Sequence, residues 1–139
     1  GRLGMDGFMA RGEVVLYTSG STGAPKAARL PLRALGAQAL GKALAIGYHP
    51  GDVHLHCAPL YHVGGLAALF TAALSHAREH VFLPRYSAPE AHRAAVARGA
   101  SALIAVPAMV DDLHALVARG GAPLAEVRRV LVGGGALTR

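Results

Sequence analysis

The chain has 139 residues, 53% of them hydrophobic and only 5% aromatic, with one cysteine and a formal net charge of +6. That length suits one domain with a buried core, and the lone Cys57 excludes an intrachain disulfide and fits a reducing cytosol. Twelve arginines are scattered from Arg2 to Arg139 with no run longer than Arg128-Arg129, so the charge reads as solvated faces, and a nucleic-acid stripe with stacking aromatics is excluded.

In chain order, residues 14–17 and 27–30 read as two short strands flanking a loop rich in Gly, Ser and Thr. Residues 32–46 have helical spacing and end at Gly47 and Pro50. A strand follows at 53–57, where histidine alternates with apolar residues, then an apolar helix at 64–74 and a strand at 80–83 stopped by Pro84. An Ala-rich helix at 89–98 closes on Gly99. Residues 101–106 read as a fully buried strand, Pro107 starts a helix to Arg119, and a strand at 130–132 runs into Gly133-Gly134-Gly135. Strands alternating with helices predict an α/β fold of parallel βαβ units with right-handed crossovers. The longest apolar run, residues 63–74, is too short to span a bilayer. We therefore expect a soluble, cytoplasmic protein without stable membrane insertion.

The densest chemistry lies in Tyr17-Thr18-Ser19-Gly20-Ser21-Thr22-Gly23-Ala24-Pro25-Lys26. Glycines let backbone N–H groups turn toward an anion, and successive N–H groups form a concave nest for phosphate. Four hydroxyls add donors and Lys26 adds a point charge. A Walker loop needs G-x-x-x-x-G-K-[ST]; here the glycines are too close, Pro25 precedes Lys26 and Ala27 follows it. A dinucleotide fingerprint fails because G-x-G-x-x-G is absent. The bland alternative is an ordinary Gly/Ser/Thr surface turn; the combination of residues after a strand favours a polyphosphate cradle.

The string YTSGSTGAPK closely resembles the phosphate-binding loop of adenylate-forming enzymes, [FY]-T-S-G-[ST]-T-G-x-P-K-G, departing only at Ala27. That family includes acyl-CoA synthetases, luciferases and peptide-synthetase adenylation domains. Its o-succinylbenzoate–CoA ligases of menaquinone synthesis are similar to this chain in carrying P-K-A-A. Where many members continue into a Thr-His pair, Pro31 and Leu32 stand here, and no role is carried onto them. Residues 58–66, APLYHVGGL, resemble the family's L-P-L-F-H-x-x-G motif, and residues 131–137, LVGGGAL, its V-x-x-G-G-[AG]-x-[LI] turn. Residues 102–113 resemble a V-P-T-x-L-x-x-L stretch that reads as core.

The resemblance implies a specific division of labour. Thr18, Ser19, Gly20, Ser21, Thr22, Gly23 and Lys26 would hold the β- and γ-phosphates of ATP. His62 would lie beside the reacting carboxylate, so Lys26 and His62 are the catalytic candidates. Gly133, Gly134 and Gly135 would line the adenylate. Alone, His62 reads more readily as a capping or satisfied histidine, and three glycines after a strand are a common turn; the apolar context of residues 58–66 after Lys26 favours the functional reading. The implied substrates and cofactors are ATP with Mg²⁺, coenzyme A and a small carboxylic acid. O-succinylbenzoate is preferred over a fatty or aryl acid, and a nonenzymatic nucleotide-binding remnant is the alternative from another class. The resemblance also implies that residues 1–139 are part of a larger N-terminal domain. The magnesium Glu, ribose Asp and adenylation Lys would then lie outside this chain, so the piece alone would not turn over.

Two histidine patterns compete with this account. His76-Ala77-Arg78-Glu79-His80 matches H-x-x-E-H, but that signature needs one helix, and His80 opens a strand-like run. His54, His56, Cys57 and His62 could gather a metal, with alternation putting His54 and His56 on one face. Structural histidines are preferred, and no metal ligand is assigned.

Overall fold

The computed structural model describes residues 11–18, 24–74 and 77–134 of the chain. Two strands, β1 (Glu13–Thr18) and β2 (Lys26–Pro31), pair antiparallel as a hairpin, in register from Glu13 opposite Pro31 to Thr18 opposite Lys26. The Glu13 carboxylate accepts from Arg29 Nε at 2.8 Å across this pair. Both partners are largely exposed, so the bridge contributes at most about 1 kcal/mol. The parallel pattern expected from the sequence therefore starts only after this hairpin.

Helix α1 (Leu32–Ile46) follows without a break. Leu32, Leu35 and Ala39 are its buried positions, spaced by three and four residues as one helix face requires. It stops at Gly47, whose φ of 68° lies in the left-handed region and whose N–H donates to Ala43 O. Strand β3 (Val53–His56) comes next, then α2 (Val63–Leu74), β4 (Glu79–Phe82), α3 (Ala88–Arg98), β5 (Ala102–Ala105), α4 (Pro107–Ala118) and β6 (Arg129–Val132). Ser87 starts α3 by accepting from Glu90 N, with Pro89 in the first turn and Gly99 (φ 61°) at the end.

The four later strands form one parallel sheet in the order β4-β3-β5-β6. Its central strands β3 and β5 are buried at every position, as expected when both faces are covered. On one face Val53, Leu55, Cys57, Leu103 and Ala105 pack with Ala91 and Ala95 of α3 and Leu113 of α4. Helix α2 packs against α1 and against β3 through small buried residues: Gly65, Ala67, Ala68, Thr71 and Ala72.

The strand order has a consequence for ligand binding. From β3 the chain steps outward to β4; from β4 it returns past β3 to β5 and continues to β6. Right-handed crossovers in opposite directions put α2 on one face and α3 and α4 on the other. The direction reverses between β3 and β5, so the connections leaving their carboxyl ends diverge to opposite faces. Open α/β sheets bind ligands in the crevice at such a point.

Asp52 fastens the opposite end of the sheet. It is fully buried at the start of β3. It accepts from His49 N–H at 2.7 Å, Ser101 Oγ at 2.8 Å and Arg129 Nη1 at 2.8 and 3.0 Å. Burial alone would raise its pKa, but these donors outweigh it and hold the carboxyl below its ordinary value. One carboxylate thus ties β3 to residues beside β5 and on β6.

Candidate functional site

A cleft of about 430 Å³ opens at the carboxyl ends of β3, β5 and β6. It is lined by Ala58, Pro59, His62, Val63 and Gly64 after β3, by residues 104–106 at the end of β5, and by Leu131 through Gly134 at the end of β6. This is the crevice that the reversal of strand order creates. Its walls are mostly apolar, and His62 and Lys42 are the polar side chains among the described lining residues.

His62 is held by its own helix. Its N–H donates to Pro59 O at 3.1 Å and its carbonyl accepts from Leu66 N at 3.1 Å. Its Nδ1 accepts from Gly64 N at 3.2 Å, which puts the ring's proton on Nε2. The capping expected of His62 is thus seen, through Nδ1, and the same residue lines the cleft. Gly65 makes this possible. A Cβ there would stand 2.3 Å from Pro59 O and 2.9 Å from Ala58 O, so the first turn of α2 can lie on the 58–59 backbone only if residue 65 has no side chain.

Across the cleft, Gly133 N donates to Ala105 O at 3.4 Å, so the turn after β6 is held against β5. Gly134 has φ 84° with Val106 Cγ1 3.6 Å from an added Cβ, whereas Gly133 has open space. Gly134 is required by its backbone conformation; the space beside Gly133 lets a flat ligand approach the main chain. The cleft thus brings together His62, Gly133 and Gly134, from segments expected in the sequence to share a site.

Thr18 and Lys26 occupy the open end of the β1–β2 hairpin. They are register partners, and Thr18 Oγ1 donates to Lys26 O at 3.4 Å. The hairpin therefore clamps the two ends of the glycine-rich loop together. Neither residue lines the cleft. Ser19, Gly20, Ser21, Thr22, Gly23 and Gly135 lie outside the described residues. Lys42, on α1, was not singled out as a site residue in the sequence. Its rarity was the available signal, since Lys26 is the only other lysine.

The histidines regroup. His54 and His56 do share one face of β3, but Cys57 points into the core on the other, where burial pushes its thiol up to about 12. His62 belongs to the cleft. The grouping of His54, His56, Cys57 and His62, weighed and set aside from the sequence, does not form; His54 and His56 instead lie with His80, because β4 pairs beside β3 with His80 opposite His54. His80 lies on a strand, as the rejection of H-x-x-E-H assumed, while His76 is outside the described residues.

Fold and cleft together define an open α/β domain with a ligand crevice at the carboxyl edge of its parallel sheet. Residues 13–139 match the family model of AMP-binding enzymes, and the chain belongs to that family. It is 38% identical over 127 residues to the chloroplastic/peroxisomal 2-succinylbenzoate–CoA ligase of Arabidopsis thaliana, covering 90% of this chain and 22% of that protein. The 2-succinylbenzoate–CoA ligase of Bacillus cereus strain AH820 is 35% identical over 121 residues, covering 87% and 25% respectively. The o-succinylbenzoate CoA synthetase of Bacillus subtilis, solved with its acyl-adenylate intermediate, matches with a TM-score of 0.75 and 28% identity. That match covers 88% of this chain and 25% of that one. The chain thus spans about a quarter of the length of these relatives. Among the described residues, no helix is long and apolar enough to cross a membrane.

Proposed function

We propose that residues 1–139 form part of the N-terminal adenylation domain of an AMP-forming acid–CoA ligase that acts on o-succinylbenzoate in the cytoplasm. The observation that carries this reading is the crevice between β3, β5 and β6, which places His62 opposite Gly133 and Gly134 in a family whose members bind AMP. The reaction has two steps. A carboxylate oxygen attacks the α-phosphorus of ATP, forming an acyl-adenylate and releasing pyrophosphate; the thiol of coenzyme A then displaces AMP, forming a thioester.

Within this scheme the chain mainly positions reactants and neutralises charge. The loop from Thr18 through Ser19, Gly20, Ser21, Thr22 and Gly23 to Lys26 holds the β- and γ-phosphates and then the leaving pyrophosphate. The hairpin fixes its two ends at a constant separation. His62, oriented by its bond from Gly64 N, presents Nε2–H toward the carboxylate. Gly133, Gly134 and Gly135 let the adenylate lie against the main chain. Lys42, in the same cleft, supplies a positive charge for an anionic substrate. No carboxylate lines the cleft among its described residues, so no magnesium ligand is assigned to them. O-succinylbenzoate is favoured by the two ligase relatives and by Ala27 after Lys26. The test is AMP release from ATP by the complete gene product carrying these residues, across succinylbenzoate, aryl and fatty acids. Release with succinylbenzoate above the others supports the assignment; release only with another acid discards it.

A further inference from the structure

The histidine cluster on the face of β3 and β4 stands apart from the cleft and has no part in the ligase scheme. His54 and His56 lie two residues apart on β3, and His80 on β4 is the register partner of His54. A nitrogen from each ring can be chosen so that all three lie within 4.8 Å of one another. His56 Nε2 and His80 Nδ1 are 3.3 Å apart. Two nitrogens bound to one tetrahedral zinc at roughly 2.0–2.1 Å lie about 3.4 Å apart, so this pair already has the spacing of two ligands. Histidine χ2 is broad, so rotation of the His54 ring can adjust the distance of the third nitrogen from this pair.

The polar atoms point the same way. His54 is 0% and His56 2% exposed, yet His54 Nδ1, His54 Nε2 and His56 Nδ1 have no hydrogen-bond partner. Each orphaned buried group costs about 1–3 kcal/mol; a cation held through His56 Nε2 would engage one of the two His54 nitrogens and leave His56 Nδ1 unpaired. The shell is aromatic: Tyr48 meets His54 edge-on at 4.5 Å and Phe82 stacks on His56 at 4.5 Å. Nearby carboxylates are engaged elsewhere. Asp52 is taken by Ser101, Arg129 and His49 N–H, and Glu79 pairs with Arg98 at 2.9 Å.

We propose that His54, His56 and His80 form a binding site for one late first-row divalent cation, zinc foremost, with the fourth position open to water. Three imidazoles suit zinc, copper, iron or nickel and not magnesium or calcium. The ion would join β4 to β3 beneath α2 and steady the strand whose far end leads into His62. This site stands independently of the ligase reading.

The test is titration of the chelator-stripped complete gene product with Zn²⁺ and with Co²⁺. The expected results are one ion per chain by elemental analysis, a visible Co²⁺ spectrum of tetrahedral type, and a Zn²⁺-dependent rise in Tm. The His80→Asn variant, its fold verified by circular dichroism, should weaken Zn²⁺ binding by more than the roughly 10- to 100-fold typical of losing an outer-shell partner. His114→Gln, at an exposed position on α4, should leave binding unchanged. Failure of the wild-type protein to bind a stoichiometric ion overturns the proposal without any variant. So does binding that survives His80→Asn unaltered.

Discussion

Gly65→Ala adds one methyl group where the first turn of α2 meets the chain that carries His62. The new Cβ would stand 2.3 Å from Pro59 O and 2.8 Å from Pro59 C. Ordinary contact begins near 3.4 Å, so helix and backbone must separate by about 1 Å. Both obstacles are main chain, so no side-chain rotation relieves the overlap, and overpacking of this kind costs about 1–3 kcal/mol. The separation would also move the 59–64 segment away from the turn after β6. Misplacement of about 1 Å can lower a rate about 100-fold. Gly64→Ala is the internal control: it makes the same chemical change one residue earlier, and its Cβ meets only His62 Nδ1 at 3.5 Å. Both should be measured in the complete gene product by carboxylate-dependent ATP–pyrophosphate exchange and by thermal unfolding. Gly65→Ala should lose about 10- to 100-fold in exchange rate and melt lower, while Gly64→Ala stays near wild type. Equal behaviour of the two variants would refute the steric account of how His62 is placed.

Three further outcomes follow from other parts of the molecule. Asp52→Ala should destabilise the protein by about 3–5 kcal/mol, because it leaves Arg129 without its buried partner; urea unfolding checks this, and a loss below about 1 kcal/mol would contradict it. Cys57, pushed from 9.0 to about 12, should hold about 1,000-fold less thiolate at pH 8 than an unfolded thiol does. Because the unfolded thiol ionises first as pH rises, Cys57 should also lower stability above about pH 9; alkylation by iodoacetamide as fast in native buffer as in urea would refute its burial. Lys26→Ala should raise the KM for ATP about 10- to 150-fold, the range of one charge-assisted hydrogen bond, while leaving the KM for the carboxylate nearly unchanged. Equal weakening of both substrates would argue against a role confined to the phosphates.

Much of the fold is legible in local chemistry. Helix α1 ends where Gly47 can adopt φ 68°, α3 runs from the Ser87 cap to Gly99, and Pro107 opens α4. These signals act within one helical turn, so a single sequence carries them. The strands around the loop are visible too, but not that they pair with each other outside the parallel sheet, since register depends on both partners. Long-range pairings are the least legible. Asp52 meets Arg129 across 77 residues, and His80 reaches His54 only because β4 lies beside β3. The same limit explains why Cys57 and His62 looked like neighbours of His54 and His56: strand alternation and a turn separate them into three environments. Within the cleft, His62, Gly133 and Gly134 could be named from their motifs. Lys42 is marked only by its rarity, since no motif near it in sequence points to the α1 face that reaches the cleft.

The central claim is that this chain helps to activate a carboxylic acid as its adenylate. The most direct measurement is the product balance of the complete gene product supplied with ATP, Mg²⁺, o-succinylbenzoate and coenzyme A. The account predicts AMP, pyrophosphate and succinylbenzoyl-CoA in equal amounts, with AMP formation dependent on the acid. ADP and phosphate as products, or no acid-dependent cleavage of ATP with any carboxylate, would contradict it.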